Sequence, residues 1–206
     1  TNGRIVNITQ PGLERIVHIE VQHYDELGDL RTKTLIVELM GKHSNIIFAD
    51  EEQNIIDSIK HISASVSSVR EVLPGRKYFV PNTENKVELN SLETYGEFAE
   101  KVKDKAQETA KALYGTYTGI SPVMAAELCE RAGIDGNSST ASLNEADIGR
   151  LWKELCKLKN TIDNGDFTPN IVYKENSPVE FAVVILSEYA DLERRDFSSV
   201  SNILFR

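Results

Sequence analysis

The chain has 206 residues, 40% of them apolar and 27% charged, which is ordinary for a soluble globular protein of one large domain or two small ones. No window approaches the ~20 apolar residues of a transmembrane helix, and no signal peptide opens the chain, so we expect no membrane partner. The net charge of −9 gives no bulk support to nucleic-acid binding, although residues 1–80 are nearly balanced, with 9 Lys and Arg against 11 Asp and Glu.

The first part of the chain alternates apolar and polar residues and predicts a mostly antiparallel meander of about five strands. Its centre is Thr34–Phe48, where two strand patterns flank the polar residues Gly41–Asn45. The other strand patterns are Arg4–Thr9, Glu14–His23, the run from Ile55, and Lys77–Val80.

Two polar features of this meander are candidate binding sites. In Glu14–His23, the apolar face of Val17, Ile19 and Val21 begins with Arg15, which either extends to the rim of the buried face or pairs with Glu14. The turn between the two central strands gathers Lys42, His43, Ser44 and Asn45, and we expect it to be exposed. An ordinary polar turn and a rim ion pair are the structural alternatives.

From residue 91 onward the apolar period changes from two to about 3.6, which predicts helices. One long amphipathic helix is predicted from Leu92 to Tyr117, and a second from Pro122 to Ala132, with Ser121 as N-cap and Gly133 after its last turn. A third begins at a capping box of Ser142 and Glu145, and ends before Gly165. The chain then reads as a strand pair with a turn near Asn176–Pro178, followed by a surface tail at Asp191–Asp196.

The link between the first two helices, Gly119-Ile120-Ser121, is a candidate phosphate contact. Backbone N–H groups at the start of the helix can bind a phosphate, as in helix-hairpin-helix modules. Any tight helical hairpin has such groups, so a purely structural link is the alternative.

The other reactive residues predict no metal site and no cofactor. Cys129 and Cys156 both lie in helical patterns and form no disulfide framework, which fits a reducing, cytoplasmic compartment. The four histidines are scattered, and no Gly-rich phosphate loop or nucleophile elbow is present.

Four ordered motifs resemble the NFACT family, whose bacterial members are called RqcH and are often labelled fibronectin-binding protein A. They are Gly12–Val17, Glu38–Ile47, Ile55–His61 and Arg70–Tyr78. The resemblance implies an α+β fold: an antiparallel β domain, similar to the N-terminal domain of formamidopyrimidine DNA glycosylases, followed by a helix-hairpin-helix domain. We expect the end of the β domain (NFACT-N) at residues 1–90, the helix-hairpin-helix domain at 91–165, and a short strand pair and tail leading toward a coiled coil at 166–206.

The resemblance also implies a ribosome quality-control factor. Such proteins bind the large ribosomal subunit carrying a stalled peptidyl-tRNA and recruit alanyl-tRNA, so that the nascent chain gains an untemplated alanine tail. The ribosome would form the peptide bonds, so we expect a recruiter and not an enzyme. The family's Asp-Arg pair, needed to engage tRNA, aligns with Glu14-Arg15, where the acid is one methylene longer. The expected tRNA-binding residues are Glu14, Arg15, Lys42, His43, Ser44, Asn45 and Arg70.

Three alternatives remain open from the sequence. An adhesin that binds fibronectin or fibrinogen is the first. A DNA glycosylase rests on fold analogy, and would need a nucleophilic amine at the true start of the first domain. A structural scaffold with no nucleic-acid affinity is the third. The family's start of the first domain, its long coiled coil and its RNA-binding C-terminal domain are expected to lie outside these residues, and much of the ribosome contact with them.

Overall fold

A five-stranded antiparallel sheet, with its strands in chain order, forms the first of two compact units, residues 1–86. The computed structural model describes residues 3–66, 70–80, 86–91 and 94–204, and the second unit comprises residues 87–206. The antiparallel order confirms the predicted meander, because connections this short cannot make the crossovers that parallel strands need. The strands are β1 (Arg4–Thr9), β2 (Ile16–Tyr24), β3 (Leu30–Glu38), β4 (Asn45–Ala49) and β5 (Ile55–Ser58).

The core of the first unit lies on the face of this sheet that carries Ile16, Ile36 and Ile47. Ile36 and Ile47 are direct cross-strand partners, and none of the three is more than 1% exposed. Val72 and Tyr78, from the segment that follows β5, join them in one apolar cluster. This segment covers the sheet and supplies the second layer that a half-buried sheet needs.

The prediction for the buried face of β2 is wrong. It placed Val17, Ile19 and Val21 in the core, but these three are half-buried and occupy the opposite face from Ile16, which is 1% exposed. Apart from Ile16, the core-facing side of β2 carries His18, Glu20 and Gln22, so the alternation favours the other face and the structure departs from it. The segment around Val72 makes the choice by packing on the Ile16 face.

The predicted strand at Lys77–Val80 is also absent from the described structure. Lys77 makes a single bridge to Asn54, and the Tyr78 N–H donates to the Gln53 carbonyl at 2.7 Å. Tyr78 is 6% exposed, so its side chain anchors the segment to the core. The apolar alternation in this segment arises because its side chains pack on the sheet, and the segment forms no strand of its own.

The second unit combines helices with two small sheets. Its sheets are a parallel pair of strands and a three-stranded antiparallel sheet. The described helices are α1 (Tyr95–Lys103), α2 (Thr109–Thr116), α3 (Pro122–Arg131), α4 (Glu145–Asn164) and α5 (Val200–Leu204). The strands are β6 (Val87–Glu88), β7 (Tyr117–Thr118), β8 (Asn170–Lys174), β9 (Ser177–Ala182) and β10 (Glu193–Asp196).

The single long helix predicted from Leu92 to Tyr117 is wrong, because α1 and α2 are separate helices; Leu92 itself lies outside the described residues. Thr140 occupies the break. Its hydroxyl donates to the Lys105 carbonyl at 2.7 Å, and its N–H donates to the Gln107 carbonyl at 2.8 Å. These bonds replace helical ones, and they come from a residue too distant in sequence for the local apolar period to register.

Helix ends were predicted from local signals, and most are confirmed. The Ser121 hydroxyl accepts the Met124 N–H at 3.1 Å at the start of α3, and Gly165 ends α4 with a φ of 69°. The predicted capping box of α4 at Ser142 is displaced, because Ser142 donates its hydroxyl to the Ser139 carbonyl at 2.7 Å. The capping box uses Asn144 and Asp147 instead.

The predicted tail at Asp191–Asp196 is wrong in part, because Glu193–Asp196 forms strand β10 and pairs with β8. The Arg195 guanidinium lies 4.4 Å from the centre of the Tyr173 ring, a contact across the pair that propensity does not reveal. None of the described helices is both long enough and apolar enough to cross a bilayer. The structure is therefore α+β; the likeness to the glycosylase domain and the helix-hairpin-helix assignment remain predictions.

Candidate functional site

Most of the candidate residues of the first unit converge at one end of the five-stranded sheet. Turns of an antiparallel meander alternate between its two ends, so the residues before β2, between β3 and β4, and after β5 share one end. The Leu39 N–H donates to the Arg15 carbonyl at 2.8 Å, and the Lys60 ammonium donates to the Lys42 carbonyl at 3.2 Å. We call the exposed residues of this surface the basic end: Arg15, Lys42, His43, Lys60 and His61.

Arg15 and Glu14 stand at the start of β2. Arg15 is exposed and Glu14 is half-buried. The alternative of a rim ion pair between them is not seen, and within the described residues no side chain lies in bonding distance of the Arg15 guanidinium. Its donors are therefore free to bind a planar anion such as a phosphate or carboxylate.

The turn between β3 and β4 is a single 3₁₀ turn, Gly41–His43, that displays its side chains to solvent. Gly41 has a φ of +56°, which favours glycine. The turn is closed by backbone bonds alone, from the His43 N–H to the Met40 carbonyl and from the Ser44 N–H to the Gly41 carbonyl, both 3.0 Å. Lys42 and His43 are exposed as predicted, and Ser44 is half-buried.

The prediction that Asn45 is exposed is wrong. Asn45 is 4% exposed, and its carboxamide is bonded to the backbone of Lys60 on both sides. The amide donates to the Lys60 carbonyl at 3.0 Å, and the amide oxygen accepts the Lys60 N–H at 3.0 Å. A buried carboxamide needs such partners, because leaving it unpaired would cost ~1–3 kcal/mol. Asn45 thus joins Lys60 to the turn that carries Lys42.

Beneath the basic end lies a buried ion pair between Glu38 and Arg70. Of the two, only Arg70 is a predicted site residue. Glu38, the last residue of β3, accepts two bonds from the Arg70 guanidinium, at 2.6 and 2.5 Å. The side chains are 0% and 9% exposed respectively. The Tyr78 hydroxyl donates to the same carboxylate at 3.1 Å, and burial, followed by the Glu38 charge, raises the pKa of Tyr78. An acid in register with the buried Ile36 was the available signal.

Arg70, predicted to contact tRNA, is thus engaged inside the protein. Its guanidinium also donates to the Phe79 carbonyl at 3.0 Å and lies over the Tyr78 ring. Both bonds to the Glu38 carboxylate come from Nη2, while Nη1 makes the bond to the Phe79 carbonyl. The position of Arg70 supports the end of β3, which leads directly into the Lys42 turn.

The opposite end of the same sheet is acidic. We call this surface the acidic end: Asp25, Glu26, Asp29, Asp50, Glu51 and Glu52. Arg31 pairs with three of these carboxylates, on Asp25 at 3.1 Å, Asp29 at 3.8 Å and Glu51 at 3.0 Å. The two ends of one sheet therefore carry opposite charge, which the chain's net charge conceals.

In the second unit, Gly119-Ile120-Ser121 connects β7 to α3. Gly119 has a φ of +87° and is exposed, whereas Ile120 is 5% exposed and anchors the link. Because the Ser121 hydroxyl accepts the Met124 N–H, that donor is not available to a phosphate. The remaining N–H groups at the start of α3 are compatible with the predicted contact without identifying a ligand.

The remaining reactive groups are unsuited to nucleophilic or metal chemistry. Burial, together with the Asp135 charge, raises the pKa of the Cys129 thiol to about 11. Burial also raises the pKa of Cys156. A raised pKa keeps both in the unreactive thiol form at neutral pH. Among the residues that the structure describes, no three His, Cys, Asp or Glu side chains are grouped as metal ligands.

Comparison with known proteins gives one family throughout. The profile of the family described as NFACT N-terminal and middle domains matches residues 1–206. The Rqc2 homolog RqcH of Bacillus subtilis (strain 168) is 33% identical over 206 residues, covering 99% of this chain and 34% of the relative. The Rqc2 homolog RqcH of Streptococcus suis (strain 05ZYH33) is 41% identical over 135 residues, 64% of this chain and 24% of the relative. The solved fibrinogen binding protein from Staphylococcus aureus matches with a TM-score of 0.77 and 26% identity, over 99% of this chain and 70% of that one.

Proposed function

Because the chain belongs to the NFACT family, we propose that it is part of a cytoplasmic ribosome-associated quality-control factor. The chain spans about a third of the length of its Bacillus relative, so the activity belongs to a longer protein. That protein would bind the stalled large ribosomal subunit with its peptidyl-tRNA and recruit alanyl-tRNA for untemplated alanine tailing. It would act as a recruiter and not an enzyme, since the ribosome forms the peptide bonds. The relatives' name, Rqc2 homolog RqcH, supports the quality-control role at the family level.

The observation that carries the proposal is the basic end of the sheet. RNA carries one phosphate per nucleotide, and exposed cations bind such a polyanion. Arg15 is exposed with no partner in the described residues, and Lys42 and His43 are displayed by a turn held through backbone bonds. We assign Arg15 as the main phosphate contact, and we propose that Glu14, whose carboxylate does not pair with Arg15 in the structure, orients it in the complex or bonds a sugar or base edge.

The other predicted site residues take different parts in this proposal. Arg70, held by Glu38, supports the end of β3 from beneath and does not contact RNA directly. Asn45 is internal, and Ser44 closes the turn through its backbone. In the second unit, we propose the Gly119–Ser121 link as a separate phosphate contact, supported by its exposed Gly119 and the helix start that follows.

The test is alanine tailing of a stalled reporter in cells, with the full-length protein carrying changes at Arg15. Arg15→Ala should abolish tailing and leave the fold intact, because the side chain makes no internal bond in the described residues. Arg15→Lys should restore tailing poorly, since lysine keeps the charge and loses the fork. Glu14→Asp should be tolerated, because it restores the family's own residue.

Arg31→Ala is the matched control, since it removes an exposed arginine at the other end of the sheet and should leave tailing normal. Circular dichroism and thermal unfolding of each purified variant separate lost function from lost fold. Normal tailing by Arg15→Ala would contradict the assignment of this residue.

A second candidate function follows from the solved neighbour, which is named a fibrinogen binding protein. A fibronectin- or fibrinogen-binding adhesin would bind immobilised fibrinogen or fibronectin at nanomolar concentration, and would do so equally well after Arg15→Ala. Sedimentation of the full-length protein with the large ribosomal subunit, and sequencing of any tRNA that accompanies it, decides between the two.

A further inference from the structure

We propose that Lys60 and His61 belong to the same RNA-binding surface as Arg15 and Lys42, and that Asn45 is the positioning residue that holds Lys60 there. The inference rests on the proposed function, because it takes RNA phosphates as the ligand. Neither Lys60 nor His61 is among the tRNA-binding residues that the family resemblance implies. Their assignment comes from the way their segment is fastened to the sheet.

The first argument is the bonding of Asn45. Strand β5 ends at Ser58, yet the Ile59 N–H still donates to the Ile46 carbonyl at 2.9 Å. At the next position the Asn45 carboxamide takes the place of a backbone peptide and both donates to and accepts from Lys60. The ladder is therefore extended by one rung made from a side chain. This rung fixes the backbone of Lys60 beside the β3–β4 turn.

The second argument is where the Lys60 ammonium lies. It donates to the Lys42 carbonyl at 3.2 Å, so it is held against the turn that displays the Lys42 and His43 side chains. Bringing two lysines onto one turn is unfavourable in the absence of a counter-charge, and the cost falls when a polyanion binds. The nearby Glu38 carboxylate does not neutralise the two lysines, because it is buried and already pairs with Arg70.

The third argument is that His61 extends the surface and remains accessible to a ligand. Its ring is bonded to Asp57 at 2.8 Å, and both side chains are more than half exposed. The bond holds the imidazole in one orientation and leaves its other nitrogen facing solvent or a ligand. His61 therefore adds a directed donor or acceptor, and Lys60 adds the permanent charge.

The experiment measures the affinity of the 206-residue chain for fluorescently labelled tRNA, by anisotropy, across a series of salt concentrations. Lys60→Met keeps the length and the apolar stem and removes the charge. We expect it to weaken binding about three- to tenfold and to reduce the salt slope by ~0.7–0.9, the value of one lost phosphate contact. His61→Gln should give a smaller loss of affinity with little change in slope.

Lys77→Met is the matched control, because Lys77 is exposed in the same unit beside Asp50 of the acidic end. It should change neither affinity nor slope. Asn45→Ala should reproduce the loss seen for Lys60→Met, and should add nothing in a Lys60→Met background, because it acts through Lys60. Circular dichroism checks that the Asn45 variant folds, and Lys60→Met tests the surface independently of it.

The outcomes distinguish this inference from the proposed function. If Lys42→Met weakens binding and Lys60→Met does not, the basic end binds RNA without Lys60 and the inference is wrong. If Asn45→Ala still weakens binding in the Lys60→Met background, Asn45 is not the positioning residue of Lys60. If the wild-type chain does not bind tRNA at any salt concentration, the proposed function fails for this part of the protein, and the inference fails with it.

Discussion

The two ends of the five-stranded sheet use their charges in opposite ways. At the acidic end, the Asp25 carboxylate accepts the N–H groups of Leu27 and Asp29, and the Asp50 carboxylate accepts those of Glu52 and Asn54, so the acids close their own turns. At the basic end, the 3₁₀ turn is closed by backbone carbonyls, and the side chains of Lys42 and His43 take no part in it; the Lys60 ammonium binds the Lys42 carbonyl from a neighbouring segment. Charged side chains that hydrogen-bond within their own turns have a structural role. Charged side chains on a turn that is closed by backbone bonds remain available to a binding partner.

The largest effect should come from the ion pair beneath the basic end. Arg70→Met leaves the Glu38 carboxylate buried without its partner, which typically costs about 3–5 kcal/mol of the free energy of unfolding. Arg31→Met at the acidic end breaks three exposed pairs that solvent screens, and its cost should be far smaller. Urea-dependent hydrogen exchange of the Ile36 amide reports the unfolding free energy of this sheet.

The double variant Glu38→Gln with Arg70→Met is the check on this explanation. It removes both charges, so it should be less destabilised than Arg70→Met alone. If Arg70→Met and Arg31→Met lowered the free energy of unfolding equally, the buried pair would contribute no more stability than the exposed pairs of the acidic end.

Reversing the charge of one lysine should weaken RNA binding at the basic end and not at the acidic end. Lys42→Glu places a carboxylate on the displayed turn, and we expect about a tenfold loss of tRNA affinity, equivalent to ~1.4 kcal/mol. Lys77→Glu adds the same charge near the acidic end and should leave the affinity within about twofold. Anisotropy with labelled tRNA at constant salt measures both, and equal losses would mean that only net charge matters.

A matched pair of glycines sharpens the comparison. Gly41 in the basic-end turn and Gly28 in the acidic-end turn both have positive φ, +56° and +86°, with no atom within 4 Å of an added Cβ. Replacing either with alanine should cost about 1 kcal/mol of unfolding free energy through backbone strain. Thermal unfolding should show similar losses, but only Gly41→Ala should also weaken tRNA binding. If Gly28→Ala weakens it as much, the effect is one of general stability.

The smallest effect should appear on acidification. The bond from the Asp29 N–H, then that from Arg31, lowers the pKa of Asp25 below its usual 3.8, and bonds from Asn54 lower that of Asp50. A lowered pKa gives stability that is present above the unfolded value and is lost as pH falls through the folded one. The amides of Leu27 and Glu52 should therefore lose protection, measured against the intrinsic exchange rate at each pH, as the pH falls below 3.8.

The amides of the basic-end turn serve as the internal control for this titration. His43 and Ser44 donate to carbonyls and should not respond to the loss of a carboxylate acceptor. Asp25→Asn should remove the pH response at Leu27 and leave that at Glu52. A response of the same size at all four amides would indicate global acid unfolding.

Features set by neighbours in sequence were predictable. Ser121 followed by Pro122 marks the start of α3, and Gly165 marks the end of α4, because caps depend on residues a few positions away. The alternation around Thr34–Phe48 likewise gave the two central strands and their exposed Lys42 and His43. The same local alternation placed Arg15 at the rim of the buried face of β2, which is wrong, because Val17 and Ile19 on its face are only half-buried.

Features set by distant partners were not predictable. Thr140 breaks the helical pattern at Gln107, 33 residues away in sequence, and no local period shows this. Asn45 looked like a loop residue, because its partner Lys60 lies beyond the next strand. The resemblance predicts an RNA contact at Arg70, and the sequence does not reveal its internal partner, because Glu38 is 32 residues away and is a single polar position in a strand.

Strand β1 has a consequence for the behaviour of the chain in solution. All six of its residues are exposed, and within the described residues it pairs with β2 alone, so its outer edge carries backbone donors and acceptors that are open to another strand. An open edge is a template for strand addition, and a bulge between Ile5 and Asn7 interrupts it only in part. For residues 1–206 taken by themselves, self-association at high concentration should therefore begin at β1, and Val6→Lys should raise their solubility without touching the basic end.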